Sequence, residues 1–300
     1  MAGIWRRLRK KALYSTTPFS SSDHILTLRS SLLRPNNTAH RHCHNGESVV
    51  LLEGKPIARE IKARVAVEVG RMKAAIGGVP GLGVVLVGNK RDSLAFIRLK
   101  LRACDEVGIS TSISQLPKNC KEDELITVVS SLNNNPSVHG IIVQLPLPQH
   151  LNEERIVSAL SPEKDVDGFH PLNMGSLAMR GREPLFVPCA PMSCIELLLR
   201  FGVKIFGKKT VVIGRSKIVG LPTSLLLQRH HATVTTVHAF TKNPELITRE
   251  ADILVSDVGV PNMVRGDWIK EGAVVVDMGT NSIQVSAPIF IYHLNLVLRI

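Results

Sequence analysis

Short apolar runs recur along the chain, separated by stretches in which apolar residues return every three or four positions. The runs at residues 49–52, 82–87 and 138–145, and again near 210–214, 233–237, 252–256 and 273–277, read as strands, those at 82–87 and 210–213 of the buried type found in parallel sheets. Ile57, Ile61, Val65, Val69 and Met72 share one helical face and predict an amphipathic helix after the first strand. Further helices are expected from residue 93 to 107, over 122–132, 153–160 and 194–200, and after the glycine-bounded turn at 214–220. Residues 161–191 are rich in turn formers and join the two halves. Strands alternating with helices predict an α/β architecture of two domains, each with a parallel sheet.

Charge changes the picture at the amino end. The net charge is +12, and eight Lys or Arg against the single acid Asp23 put +7 of it in residues 1–45, leaving +5 for the rest. This leader is Arg- and Ser-rich and acid-poor, and Trp5, Leu8, Ala12 and Leu13 interleave with its early basic residues. That is the composition of an organelle transit peptide, disordered before import, with the mitochondrion the first expectation and the chloroplast the second. A nucleic-acid-binding arm or a plain disordered tail are the rival readings. The body's modest charge gives no reason to expect a nucleic-acid partner. Cys43, Cys104, Cys120, Cys189 and Cys194 are scattered, with no second pair to complete a zinc site, and read as reduced thiols; no metal is expected. No stable membrane insertion is expected either. The most apolar stretch, residues 287–300, is short and broken by Pro288, His293 and Asn295.

Two constellations carry candidate chemistry. The first is Gly214-Arg215-Ser216-Lys217-Ile218-Val219-Gly220-Leu221-Pro222, directly after the apolar Thr210–Ile213 run. A strand breaking into such a turn before a helix presents backbone N–H groups and the positive helix end to a phosphate. Arg215 and Ser216 add donors there. The glycines lie six apart, unlike the common dinucleotide fingerprint. The next strand ends in His238-Ala239-Phe240-Thr241-Lys242, with no acid to take a ribose 2′-hydroxyl, which favours NADP over NAD. The alternative is a doubly wound domain without a cofactor.

The second constellation gathers around Lys100. A helix from residue 93 puts Ser93, Phe96, Ile97 and Lys100 on one face, just past the end of a parallel strand, where open α/β sheets bind ligands. Lys100 there is a candidate proton donor or acceptor, and its plain alternative is a solvated helix lysine. Gln144 stands in the otherwise apolar Val143-Gln144-Leu145-Pro146, so its amide must be hydrogen-bonded or part of a site. In Lys164-Asp165-Val166-Asp167-Gly168-Phe169-His170, the two acids lack the rest of a calcium loop. A carboxylate facing the adjacent N–H donors of a heterocycle is the better use, with an acidic structural turn as the alternative.

Together these segments resemble the bifunctional 5,10-methylenetetrahydrofolate dehydrogenase/5,10-methenyltetrahydrofolate cyclohydrolase family. The resemblance rests on Asp92-Ser93 with Lys100, Gly140 to Pro148, Ser161 to Pro171 and Gly214 to Gly220, and it runs from Leu52 to Asn281. It implies a folate-binding α/β catalytic domain over residues 46–188, a Rossmann-type NADP-binding domain over 189–283, a cleft between them, and a homodimer. It further implies that Lys100 transfers a proton in the cyclohydrolase step, that Gln144 tunes it, and that Asp167 holds the pterin. Ser93, Phe96, Val143 and Leu145 would line the folate pocket. Gly214, Arg215, Ser216, Ile218, Ala239 and Thr280 would bind the cofactor, with Arg215 and Ser216 on its 2′-phosphate and Thr280 near the nicotinamide. The partners so implied are one-carbon derivatives of tetrahydrofolate.

Four departures stand out. Phe96 replaces a tyrosine and loses its hydroxyl near Lys100, which suggests a dehydrogenase without cyclohydrolase activity as one variant reading. Ala190 stands in Pro188-Cys189-Ala190-Pro191 where the family usually has threonine. Ala239 replaces a serine, removing one donor worth about 0.5–1.5 kcal/mol from the cofactor site. After Asn281 the family's strand, Pro- and Gly-rich loop and closing helix give way to an apolar tail, residues 284–300, with one charge in 17 residues. That tail leads to a further expectation, of a weakly active or inactive homologue prone to aggregate.

Overall fold

A computed structural model describes residues 40–44, 47–279 and 297–299. Two sheets organise it. The first is β3 (Gly81–Val87), flanked by β4 (Ser110–Leu116) and β5 (Gly140–Val143), all parallel. Around it lie α1 (Gly54–Ile76), α2 (Arg91–Val107), α3 (Glu122–Asn134) and α4 (Glu153–Ser158). Every residue of β3 is buried because the strand is central. Leu82, Val84 and Leu86 face Ile97 of α2, while Val85 and Val87 pack with Leu125, Val129 and Leu132 of α3. This alternation is the period-two geometry of a strand covered on both faces.

The second sheet runs β1 (His40–His44), β2 (Glu47–Leu52), β10 (Val297–Arg299), β9 (Val274–Asp277), β8 (Ile253–Ser256), β6 (Lys209–Ile213), β7 (Thr233–Val237). Helices α5 (Pro171–Ala178), α6 (Cys189–Arg200), α7 (Gly220–Arg229) and α8 (Pro244–Thr248) complete this half. β9, β8, β6 and β7 are mutually parallel, whereas β10, β2 and β1 pair antiparallel. The expectation of a parallel sheet in both halves is thus corrected for the second, which is mixed. Its core joins Val212, Ile253, Val255, Val274 and Val276 to Ile195, Leu198, Leu226 and Leu227 from α6 and α7.

Three other expectations are revised. The strand at 49–52 joins the second sheet, not the first. His40–His44 is strand, so the disordered leader placed at 1–45 does not extend through its last residues. β4 and α5 were not expected at all. β4 escaped because it is an edge strand whose residues are almost all exposed, so it carries polar residues where a central strand carries valine. α5 lies in the turn-rich connector, capped by the His170 side chain with Pro171 in its first turn. The rest of the leader, Thr280, Asn281 and residues 284–296 of the tail lie outside the described residues.

Candidate active site

The α2 face expected from its spacing points inward. Ser93 and Ile97 are buried and Phe96 and Lys100 half-buried, while Arg98 and Leu99 face solvent. Lys100 is therefore not one of the solvated helix lysines. Its Nζ lies 3.5 Å from Gln144 Oε1 and 3.6 Å from Asp167 Oδ2. Both contacts are long for a hydrogen bond.

Gln144 is the first residue past β5. Its N–H continues the ladder by donating to the Val85 carbonyl at 2.9 Å, and its Nε2 donates to the Leu145 carbonyl at 2.8 Å. That fixes the amide and leaves Oε1 turned to Lys100. Val143 and Leu145 are buried in the core on either side.

The two acids of the Asp165-Val166-Asp167 segment take different jobs. Asp165 Oδ2 accepts from the His170 N–H and Asn173 Nδ2, each at 2.8 Å, so it pins the start of α5. Asn173 Oδ1 in turn accepts from the N–H groups of Leu185 and Phe186. Asp167 is left facing Lys100. Burial pushes its carboxyl up, Lys100 pulls it down and Asp165 pushes it up again. Desolvation disfavours the charged form of this buried acid, and Lys100 is the cation that opposes it.

Cys189, the first residue of α6, joins this group. The residue is exposed, and its thiol lies close enough to Asp167 and Lys100 to feel both. Burial raises its thiol, Asp167 raises it further and Lys100 lowers it.

The 214–220 turn lies at the carboxyl end of β6. Gly214 has φ +110°, and a Cβ there would stand 2.8 Å from the Asp257 carbonyl oxygen, so only glycine fits. Arg215 and Ser216 are exposed at the tip, and Ile218 packs against the core of the first half. Lys217 Nζ reaches Glu153 Oε2 at 2.5 Å, and Glu153 Oε1 accepts from the Leu147 N–H at 2.9 Å. The turn is thereby tied to the loop that follows Gln144. At the end of β7, His238, Ala239 and Phe240 form a closed turn without an acid, and Ala239 is exposed. The cradle fits a phosphate-bearing cofactor by its glycine-limited clearance, its exposed guanidinium at Arg215 and the missing ribose acid.

Sequence reasoning missed Asp257, which sits just past β8 and binds this turn: its Oδ2 accepts from Ser216 Oγ at 2.5 Å and the Gly220 N–H at 2.8 Å. An acid directly after an apolar strand, at the edge where such sheets bind ligands, is the signal that would have found it. Among the described residues no cluster suited to a metal occurs, and no helix is long and apolar enough to cross a membrane.

The tetrahydrofolate dehydrogenase/cyclohydrolase catalytic domain matches residues 52–167, and the NAD(P)-binding domain of the same name matches 188–290. A relative from Arabidopsis thaliana, "Bifunctional protein FolD 1, mitochondrial", is 58% identical over 248 residues, covering 83% of this chain and 70% of its own length. "Bifunctional protein FolD 4, chloroplastic" from the same plant is 57% identical over 235 residues, covering 78% of this chain and 65% of its own. Among solved structures, a Trypanosoma brucei methylenetetrahydrofolate dehydrogenase-cyclohydrolase complexed with NADP and an inhibitor is 38% identical, with a TM-score of 0.79, covering 82% of this chain and 84% of that one.

Proposed function

We infer function from the premise that the chain belongs to the tetrahydrofolate dehydrogenase/cyclohydrolase family. It is an NADP-dependent methylenetetrahydrofolate dehydrogenase and methenyltetrahydrofolate cyclohydrolase of one-carbon folate metabolism. The impaired-homologue reading is not favoured, and the NAD(P)-binding match continues to residue 290, past the point where the tail was expected to depart.

The observation that carries our assignment of roles is the convergence of Lys100, Gln144 and Asp167 on one point at the carboxyl end of β5. Asp167 accepts hydrogen bonds from the pterin, and its charge holds the ring beside Lys100. Ser93 and Phe96 supply the wall, with Val143 and Leu145 beneath. Lys100 moves the proton as water adds to the methenyl carbon, and Gln144 orients its amine. Positioned proton transfer of this kind is worth about 10²–10⁴-fold. Gly214, Arg215, Ser216, Ile218 and Ala239 form the cofactor side, with Thr280 assigned to it from sequence alone. Bound there, NADP⁺ supplies the hydride acceptor for the methylene bridge carbon.

The domain division proposed is that of the sequence reading, folate-binding over 46–188 and cofactor-binding over 189–283, with β2 and α5 of the first span packing on the second half. The Arg- and Ser-rich leader supports import, with the mitochondrion preferred over the chloroplast; relatives carry both addresses. A homodimer is the proposed assembly. The test measures NADP reduction and methenyltetrahydrofolate hydrolysis separately. Lys100→Met should lose hydrolysis by about 10²-fold or more while its NADP Kd stays unchanged. A variant that hydrolyses at the parent rate removes Lys100 from the chemistry.

A further inference from the structure

The 214–220 turn already holds an acid of its own; burial pushes its carboxyl up, and the bonds from Ser216 and Gly220 pull it down. Asp257 Oδ2 accepts from Ser216 Oγ and the Gly220 N–H, while Ser216 Oγ accepts from the N–H groups of Val219 (3.0 Å) and Gly220 (3.3 Å). A carboxylate oxygen therefore sits at the amino end of α7, on the donors that make such a turn attractive to phosphate. Close fit keeps it there. Cβ atoms on Gly214 and Gly220 would lie 2.8 Å from the Asp257 carbonyl oxygen and 2.8 Å from its Oδ2. The side chain is only half-buried, so one side of it faces solvent.

We propose that Asp257 is an internal competitor for the cofactor phosphate: NADP must displace its carboxylate from Ser216 and the Gly220 N–H, and the residue thereby sets cofactor affinity and selectivity. This rests on the reading of the turn as the NADP site. A phosphate docked at Ser216 with Asp257 in place would set two anions against the same donors. The cost falls on the ligand with more negative charge at that spot, so NADP suffers more than NAD. Asp257→Asn keeps the shape and an acceptor oxygen but removes the charge. Asp257→Ala removes both.

The experiment titrates the intact chain and each variant with NADP and with NAD by calorimetry, alongside a thermal melt to establish folding. Asp257→Asn should tighten NADP by about tenfold at low salt, a conservative reading of one unit charge removed a few ångströms from a phosphate in a partly solvated site. NAD should change less than NADP, and the gain should shrink as salt rises. Asp257→Ala, if folded, should move in the same direction. An unchanged or weaker NADP Kd in folded Asp257→Asn, with the parent binding normally, overturns the proposal and leaves the turn's assignment intact; Asp257 is then a structural cap. If parent and variants all fail to bind NADP, the proposal falls together with the assignment of the turn.

Discussion

Replacing Lys100 by methionine should leave Asp167 as a buried carboxylate without its cation. The pair is 3.6 Å apart, with side chains 29% and 12% exposed. Removing one member of a buried pair costs about 3–5 kcal/mol, and the partial exposure of Lys100 puts this case near 3 kcal/mol at neutral pH. With a urea slope of about 3 kcal/mol/M, the midpoint should fall by about 1 M. The pH dependence has a definite sign. Burial holds the Asp167 carboxyl above its ordinary value, although Lys100 opposes this. A carboxyl with a raised folded pKa binds its proton more tightly when folded, so stability falls as pH rises between the unfolded and folded values. Losing Lys100 raises the folded value further. The deficit of Lys100→Met should therefore be full above that window and shrink as pH falls toward the unfolded carboxylate value of about 4. The double variant Lys100→Met/Asp167→Asn removes both charges and should recover most of the loss, giving a coupling energy of about 2–3 kcal/mol. Urea melts of the four proteins from neutral to mildly acidic pH decide it. A Lys100→Met penalty that is equally large in the Asp167→Asn background, or flat with pH, would refute the reasoning.

Three further outcomes are expected. Gly214→Ala meets both the positive φ and the Asp257 carbonyl, so it should destabilise by about 2–3 kcal/mol and weaken NADP binding; an unchanged melting temperature would show that the turn adapts. Phe96→Tyr restores a hydroxyl one helical turn from Lys100 and should raise hydrolysis relative to dehydrogenation by roughly two- to tenfold, the worth of one hydrogen bond; a constant ratio of the two rates counts against it. The Cys189 thiol is held high by burial and by Asp167, so alkylation by iodoacetamide should be slow at neutral pH and quicken only above the ordinary thiol value of about 8.5. Peptide mass spectrometry reads this directly, and fast labelling of Cys189 at neutral pH contradicts it.

The central strands were legible because a strand covered on both faces must be apolar throughout. β3, β6, β8 and β9 were placed to within one residue, and the edge strand at 233–237 to the residue, from its β-branched Thr and Val and its place after the glycine turn. What failed was what apolar continuity does not record. β4 is an edge strand with a polar exterior, so Ser110 to Leu116 looks like loop. β2 was seen as a strand, but the sheet it joins depends on partners far away in sequence. The Lys100 face followed from helical spacing, and Gln144 from the oddity of an amide among apolar residues. The division of labour between Asp165 and Asp167 was not legible, since the residue type is the same and only the contacts of His170 and Asn173 separate them. Asp257 was missed for a related reason: a lone acid after a strand looks like a turn residue until three dimensions show what it holds.

The far end of α7 has its own fastening. Arg229, its last residue, donates to the carbonyls of Leu177, Met179 and Arg182 and pairs with Glu183, all at or just beyond the end of α5. α5 in turn starts four residues after Asp167. One helix therefore starts in the 214–220 turn and has its last residue fastened to the segment that follows α5, the helix just beyond Asp167. If the two proposed sites lie at its two ends, any coupling a ligand at one end transmits to the other must be returned with equal free energy.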